Sequence, residues 1–480
     1  MFWNKNITIK ENKNIVIIGG GISGLVCGIY SLLEGNNVVI IEKKNQLGGK
    51  LNYSDYSNNF PKIILGKEEL TILLDEMDID SSIIEVFSEP LITYIDEEEE
   101  IKIPNSLNGL EEYLYSNSID DKKVIKEFLS IIYQLKDYYK PYKKPYDLLK
   151  LLELNKEKKN IEVLRKIEKK YNEITINDFF NKFNSKKIKK LFVNVMPKHQ
   201  SVSDLFVMLA CYYNNNLCYF KNELLTKIIE KYKELGGKYL LNNEAKEFSF
   251  GKLNKVEKVV LDNGKTVEGD YFISAVDPYV CYNNLLKNKY NNRSYYLRYE
   301  DYMNNNVDNR LIICFQSNKE FAYNNIILKV EDLKLNTTSV EEINIVFKNK
   351  YIYCVIPQTY NDYDYLKIIK NKKFLYEENE KNIVALLKKE IERRYSGCIL
   401  KHVETIDPTK VEEKMFSYRG ALKGFVSTPK GQYINVLGIV PNLKNVFLSS
   451  SWLQYDGGIL NAIISGKFSA MRVEREKKNE

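Results

Sequence analysis

Three glycines, Gly19, Gly21 and Gly24, stand at G-x-G-x-x-G spacing in the stretch IVIIGGGISGL, residues 15–25. That spacing suits a pyrophosphate: the first glycine permits a tight turn, the second lets the backbone approach the anion, and the third lets the next helix close on the strand. The anion would rest on the helix N-terminus, where N–H groups and the helix dipole favour negative charge. A carboxylate able to accept both ribose hydroxyls of a dinucleotide, Glu42, follows 18 residues after Gly24. Next comes KKNQLGGK, which places Gly48 and Gly49 before Lys50.

These residues need a strand, a turn, a helix and a second strand to hold them. The β-branched run IVII predicts the first strand, LVCGIYSLLEG a helix ending at Gly35, and NNVVIIE a second strand closed by Glu42. Hydropathy alone offers another reading. Residues 15–33 carry no charge, nineteen in a row, and Lys5, Lys10 and Lys13 precede them like the basic end of a signal sequence. The glycine cluster decides against a membrane span, because Gly19, Gly20 and Gly21 would weaken a helix just where a strand-to-helix turn needs permissive backbone.

At 480 residues the chain exceeds the usual size of one domain, and its 44% apolar and 12% aromatic content is that of a globular protein. The seven cysteines are scattered and include no C-x-x-C pair, so they read as reduced core residues of a cytosolic protein, without a disulfide framework or zinc site. Two histidines, His199 and His402, are too few for a histidine-rich metal centre, and no Ser-His-Asp hydrolase arrangement is supported. The net charge of +7 is uneven: residues 121–200 hold 21 Lys and Arg against 10 Asp and Glu. Within them Val124, Ile125, Phe128, Leu129, Ile132 and Leu135 recur at helical spacing. Two readings follow: cap helices with a solvated lysine face, or a surface that rests on an anionic membrane. Nucleic acid is excluded as a partner, since no recognition motif accompanies the charge. The expected location is cytoplasmic, with peripheral contact at the inner face of the membrane under the second reading.

Further along, residues 222–237 predict a helix ending at Gly236-Gly237, then a strand, a meander turning at Asn263-Gly264, and a last strand, YFISAV. Near the C-terminus, NVFLSSSWLQYDGGILNAIISGKFSAMRV reads as a strand, a loop with Gly457-Gly458, and a helix from Ile459 through Ala462, Ser465 and Gly466. This is a second helix N-terminus with close backbone approach, fit for a pyrophosphate–ribitol or the O2 side of an isoalloxazine ring.

Strand, G-x-G-x-x-G, Glu and then G-G-[RK] resembles the two-part ADP-binding signature of FAD-dependent oxidoreductases of the glutathione-reductase and amine-oxidase superfamily. The C-terminal stretch resembles the FAD motif of phytoene desaturases, carotenoid isomerases and retinol saturases. Trp452, Gly457 and Gly458 fit that motif, whereas Ser450, Ser451 and Asp456 depart from it. Asn222-Glu223 replaces a frequent glycine pair, and Lys62-Ile63 a frequent His-Trp. The resemblance implies FAD as cofactor, held by Gly19, Gly21, Gly24 and Glu42 with their neighbours Ile22, Ser23 and Lys43. It adds Gly49, Lys50 and Leu51 from the second glycine turn. Ala245 and Ala275 are implied against the adenine and at the end of its strand, and Ser451, Gly458 and Ile459 at the flavin end.

The implied fold is α/β: a Rossmann-like FAD-binding domain of the glutathione-reductase type, built from residues 13–115, 216–285 and 420–480, with an inserted α+β cap from 116–215 and 286–419. The implied activity is hydride exchange between flavin N5 and a carbon of a lipophilic, polyene- or isoprenoid-like small molecule. The electron acceptor, quinone, O2 or NAD(P), stays open, as does the choice among desaturation, saturation and isomerisation. A flavin amine oxidase, with Trp452 and Tyr455 near the flavin, and a non-catalytic flavin-binding scaffold are the alternatives. Lys62 is the candidate catalytic residue: it is expected in the loop after Gly48-Gly49-Lys50, before a helix from Lys67, where a partly desolvated ammonium would face the flavin.

Overall fold

The computed structural model describes residues 12–54, 59–97, 99–136, 143–290, 293–301, 303–335, 337–429, 436–454 and 457–479. Ile15, Val16, Ile17 and Ile18 are all buried, the unbroken apolar pattern of a strand covered on both faces. They form β1 (Asn14–Ile18), followed by α1 (Ile22–Leu33) and β2 (Asn37–Ile41). The apolar run of residues 15–33 is therefore divided between strand, turn and helix. Among the described residues no helix is long and apolar enough to cross a membrane. Lys5 and Lys10 lie outside the described residues.

Three strands from distant parts of the chain complete the sheet: β3 (Lys238–Leu240), β4 (Tyr271–Ser274) and β5 (Val446–Leu448). The order is β5-β4-β1-β2-β3, every pair parallel, with Ile15 opposite both Tyr271 and Val38. On one face α1 packs with α2 (Asn222–Glu234) and α3 (Gly458–Asn479), joining Leu25, Val26, Ile228, Tyr232, Ile463 and Ile464 to Ile15, Ile17 and Ile40. The other face, with Val16, Ile18, Ile41 and Phe272, is covered by the antiparallel strands Ala245–Phe250 and Val256–Leu261. The latter turns at Asn263-Gly264, where Gly264 has φ +78°, into Thr266–Glu268. This is a mixed α/β fold with a parallel Rossmann-like sheet.

A second sheet stands beside it. Arg310–Leu335 and Thr338–Pro357 form a long antiparallel hairpin, and the strand Arg310–Leu335 also pairs along other parts of its length with Thr93–Ile95, itself paired to Glu100–Lys102, and with Leu400–Ile406. One face packs on the helix Lys373–Arg394 through Ile383, Leu387 and Ile391. The opposite face presents Ile312, Cys314, Val346, Tyr353 and Val355 to Tyr53 and Phe60. A helical subdomain buries Ile125, Phe128, Leu129, Ile132 and Leu135 of the helix Lys122–Leu135 against Phe179, Phe180, Phe192 and Phe206. The helical spacing seen in the basic region therefore serves a core, and any surface role falls to residues beyond that helix. None of the seven cysteines forms a disulfide; six are buried and Cys211 is half-buried.

Candidate functional site

The glycine turn after β1 is shaped by contacts that exclude side chains. Gly19 has φ +105°, and a Cβ there would lie 2.9 Å from the Ala275 carbonyl; one on Gly24 would lie 2.1 Å from the Gly19 carbonyl. Helix α1 thus starts hard against the strand end. By contrast, a Cβ on Gly21 would meet only the Gly49 Cα, at 4.0 Å, so the backbone at the helix start is open on that side. No side chain caps α1 and no acidic residue stands in its first turn, which leaves the positive end of the dipole for an anion. The second glycine turn lies alongside: the Gly48 N–H donates to the Gly20 carbonyl at 2.8 Å, and Gly21 bridges Gly48.

Glu42, 8% exposed, is held by backbone donors. Its Oε2 accepts from the Gly20 N–H at 2.7 Å and its Oε1 from the Lys44 N–H at 2.9 Å. Each oxygen keeps a further lone pair, so the oriented carboxylate can still receive ribose hydroxyls. Lys43 turns aside to Glu244, at 3.0 Å, with its ammonium 3.3 Å from the Phe416 ring centroid. Ile22 is buried, and Leu51 packs half-buried on the same core. Ser23 and Ser449 exchange hydrogen bonds, Ser23 Oγ to the Ser449 carbonyl at 2.9 Å and Ser449 Oγ to the Ser23 carbonyl at 3.2 Å, locking α1 to the end of β5.

Lys50 donates from Nζ to the Ala421 carbonyl at 2.9 Å and stands 5.4 Å from the Trp452 ring. Burial pulls its pKa down to about 8, against the opposing pull of Asp277 and Asp308. Burial raises Asp277, whose carboxylate caps its own turn through the Tyr279 N–H and also accepts from the Tyr299 hydroxyl and the Tyr418 N–H. Burial also works against Asp308, but Arg310, Lys423 and Lys50 hold it below its ordinary value. Tyr299, Tyr418, Phe425 and Trp452 pack edge to face around this group. Sequence reasoning named Lys50 and Trp452 but missed Asp277, Asp308, Tyr299 and Phe425. The Asp277-Pro278 step, a helix-capping pair, was the one local signal available for the first of them.

At the other end, α3 begins at Gly458, whose φ is +86° and whose absent Cβ would meet nothing within 4 Å. No acidic residue stands in its first turn. Ile459 packs on the sheet core, and Ser451 Oγ donates to the Lys423 carbonyl at 3.0 Å. Ala275 donates its N–H to Ile18 at the strand end, and Ala245 opens the meander strand, half-buried on its core. Tyr455 and Asp456 lie outside the described residues. The open starts of α1 and α3, the Gly-Gly-Lys turn and Glu42 fit a dinucleotide.

Lys62 is on a strand, not in a loop. The β-branched Ile63 and Ile64 carry it into Lys62–Leu65, paired antiparallel with Leu217–Phe220, and the helix from Lys67 follows directly. Its Nζ donates to the Phe60 carbonyl at 3.3 Å, and Phe60 meets Tyr353 of the cap sheet edge-on at 5.1 Å. Burial, aided by the like charge of Lys348, lowers its pKa to about 8.

Residues 17–63 match the model of the NAD(P)-binding Rossmann-like domain. A 70-residue stretch is 31% identical to the bilirubin reductase of Mediterraneibacter gnavus strain CC55_001C; it covers 15% of this chain and 11% of that protein. Over nearly their whole lengths, two solved structures share the fold. An oxidoreductase from Methanosarcina mazei superposes with a TM-score of 0.57 at 12% identity, covering 95% of this chain and 99% of that one. A double mutant of putrescine oxidase gives 0.56 at 14% identity, covering 97% and 99%. The chain therefore matches the NAD(P)-binding Rossmann-like model over residues 17–63 and shares the overall fold of these two structures.

Proposed function

We propose that this chain is an FAD-dependent oxidoreductase that makes, saturates or isomerises a C=C bond in an apolar, polyene- or isoprenoid-like substrate. The observation that carries the reading is the apolar face of the cap sheet, Ile312, Cys314, Val346, Tyr353 and Val355, clustered with Tyr53 and Phe60 just beyond the Gly-Gly-Lys turn. Tyr53 and Phe60 pack directly on that face, so a substrate would reach its carbon and aromatic surface by displacing these two partly buried rings. FAD, when bound, supplies hydride exchange at its N5. Glu42 would orient the ribose, the starts of α1 and α3 would take up negative charge, and Lys50, buried beside Trp452, would supply a cation. Trp452 and Phe425, 3% and 2% exposed, help keep water away. The ammonium of Lys62, if it faces the cofactor, would stabilise negative charge on the reduced flavin.

One observation favours a flavin amine oxidase instead. Glu404 accepts from Ser54 Oγ at 2.6 Å and bears electrostatically on Tyr53 and Tyr353, so a carboxylate stands among aromatic rings on the same face. That combination suits an ammonium. Anaerobic mixing of the yellow protein with a solubilised polyene or with a diamine separates the two, read by bleaching of the flavin band. Bleaching by the polyene is expected, or turnover dependent on reduced flavin if the reaction is an isomerisation; bleaching by the diamine alone transfers the site to amine chemistry. Folded protein that is colourless and cannot take up added FAD refutes both.

A further inference from the structure

The surface beside the C-terminal helix exposes what a globular protein ordinarily covers. Helix Leu151–Asn160 buries none of its residues, and its first two, Leu151 and Leu152, are 73% and 83% exposed. Tyr146 and Val163 are exposed nearby in sequence. Residues 143–170 hold ten Lys and Arg against five Asp and Glu. Three of those acids are already neutralised: Asp147 by Arg472, Glu153 by Lys144 and Glu162 by Lys166. Lys143, Lys150, Lys156, Lys158 and Lys159 make no ion pair among the described residues. The segment is also fixed. Asp147 receives two hydrogen bonds from Arg472, at 3.0 and 2.7 Å, and its carbonyl a third from Arg475, so the exposed leucines are tied to α3 of the dinucleotide domain.

We infer that this face docks on an anionic lipid surface, with Leu151 and Leu152 entering the headgroup–acyl boundary and the surrounding lysines resting on the phosphates. The commitment to lipid rests on shape and charge together. Two adjacent leucines, this exposed at the start of a helix that buries none of its residues, suit a deformable interface, which accepts them without a complementary pocket. The long lysine stems around them lie along apolar surface while their ammonium groups reach anionic headgroups. The purpose of the contact, delivery of an apolar substrate, rests on the function proposed above; the contact itself does not.

Sedimentation of the full-length protein with phosphatidylcholine vesicles, with and without phosphatidylglycerol, tests it. Binding is expected only with the anionic lipid, falling as salt screens the lysines. The double variant Leu151→Ser/Leu152→Ser, altered only at exposed positions, should bind about 10-fold more weakly or worse. Unchanged thermal melting would show that it folds. Equal binding by wild type and variant, or no binding at low salt, overturns the proposal. A wild-type dimer that the double variant dissociates in sedimentation equilibrium also overturns it, since the occupant would then be a second copy. Protein that binds vesicles but never holds FAD would leave the docking intact and refute the flavin reading alone.

Discussion

Glu42 has a structural role besides the ribose contact proposed for it, and replacing it by alanine separates the two. In the protein without cofactor its carboxylate already takes two backbone donors, Gly20 N–H at 2.7 Å and Lys44 N–H at 2.9 Å. A hydrogen bond to a charged group contributes about 1.5–3 kcal/mol. In Glu42→Ala, water can replace the partner of half-exposed Lys44, but the Gly20 donor is buried and stays unsatisfied. The cost to the apoprotein should be about 2–4 kcal/mol. With an unfolding entropy of about 2.1 cal/mol/K per residue, a chain of 480 residues melts ~2–4 °C lower for that loss. FAD affinity should fall further, roughly 10- to 100-fold, as the ribose loses its charged acceptor. The assay is calorimetric melting of FAD-stripped wild type and variant, followed by titration with FAD. An apoprotein whose melting is unchanged would refute the strut, even if FAD bound more weakly.

Gly24→Ala places a Cβ 2.1 Å from the Gly19 carbonyl, backbone against backbone, and should cost about 3 kcal/mol or more in urea denaturation; a variant as stable as wild type would mean that α1 can slide off the strand end. Lys62 titrates near pH 8 in the folded protein because of burial and then Lys348, against about 10.4 when unfolded. Between those values the unfolded chain holds a proton that the folded chain lacks, so stability gains a rising component with pH across that window and none below it. Lys62→Met should flatten that rise in denaturation midpoints measured across the window, retain FAD and slow flavin reduction; a slope identical to wild type would place the lysine in free solvent.

What the sequence made legible was local. β1, α1 and β2 follow from a buried-strand run, a glycine turn and a helix closed at Gly35, all within thirty residues, and Asn263-Gly264 marks its hairpin in two. The strand Lys62–Leu65 was not legible, because four residues carry little pattern and their partners lie at Leu217–Phe220. The long hairpin of the cap escaped for a related reason. It has no Asn-Gly or Asp-Gly turn, the polar stretch QSNKE interrupts it, and its register shifts between Gln316 and Phe321. At the site, glycine spacing announced a place for phosphate. Lys50 and Trp452 stood in motifs, but their meeting with Asp277 and Asp308 gave no such notice, since the four come together only when distant segments fold.

The reciprocal bonds between Ser23 and Ser449 span 426 residues, and they set the order in which the protein can be born. At 5–20 residues per second, translation of the chain takes roughly half a minute to a minute and a half. For most of that time α1 has emerged while α3 has not, so Val26 and Cys27 lack their α3 partners, and once β4 is made its edge stays free until β5 follows. A chain that terminates before about residue 445 keeps both glycine turns of the first half yet exposes a bare parallel edge, the kind of surface that seeds aggregation. Under the proposed function, a dinucleotide that used both helix starts could be held at both only after α3 has been made.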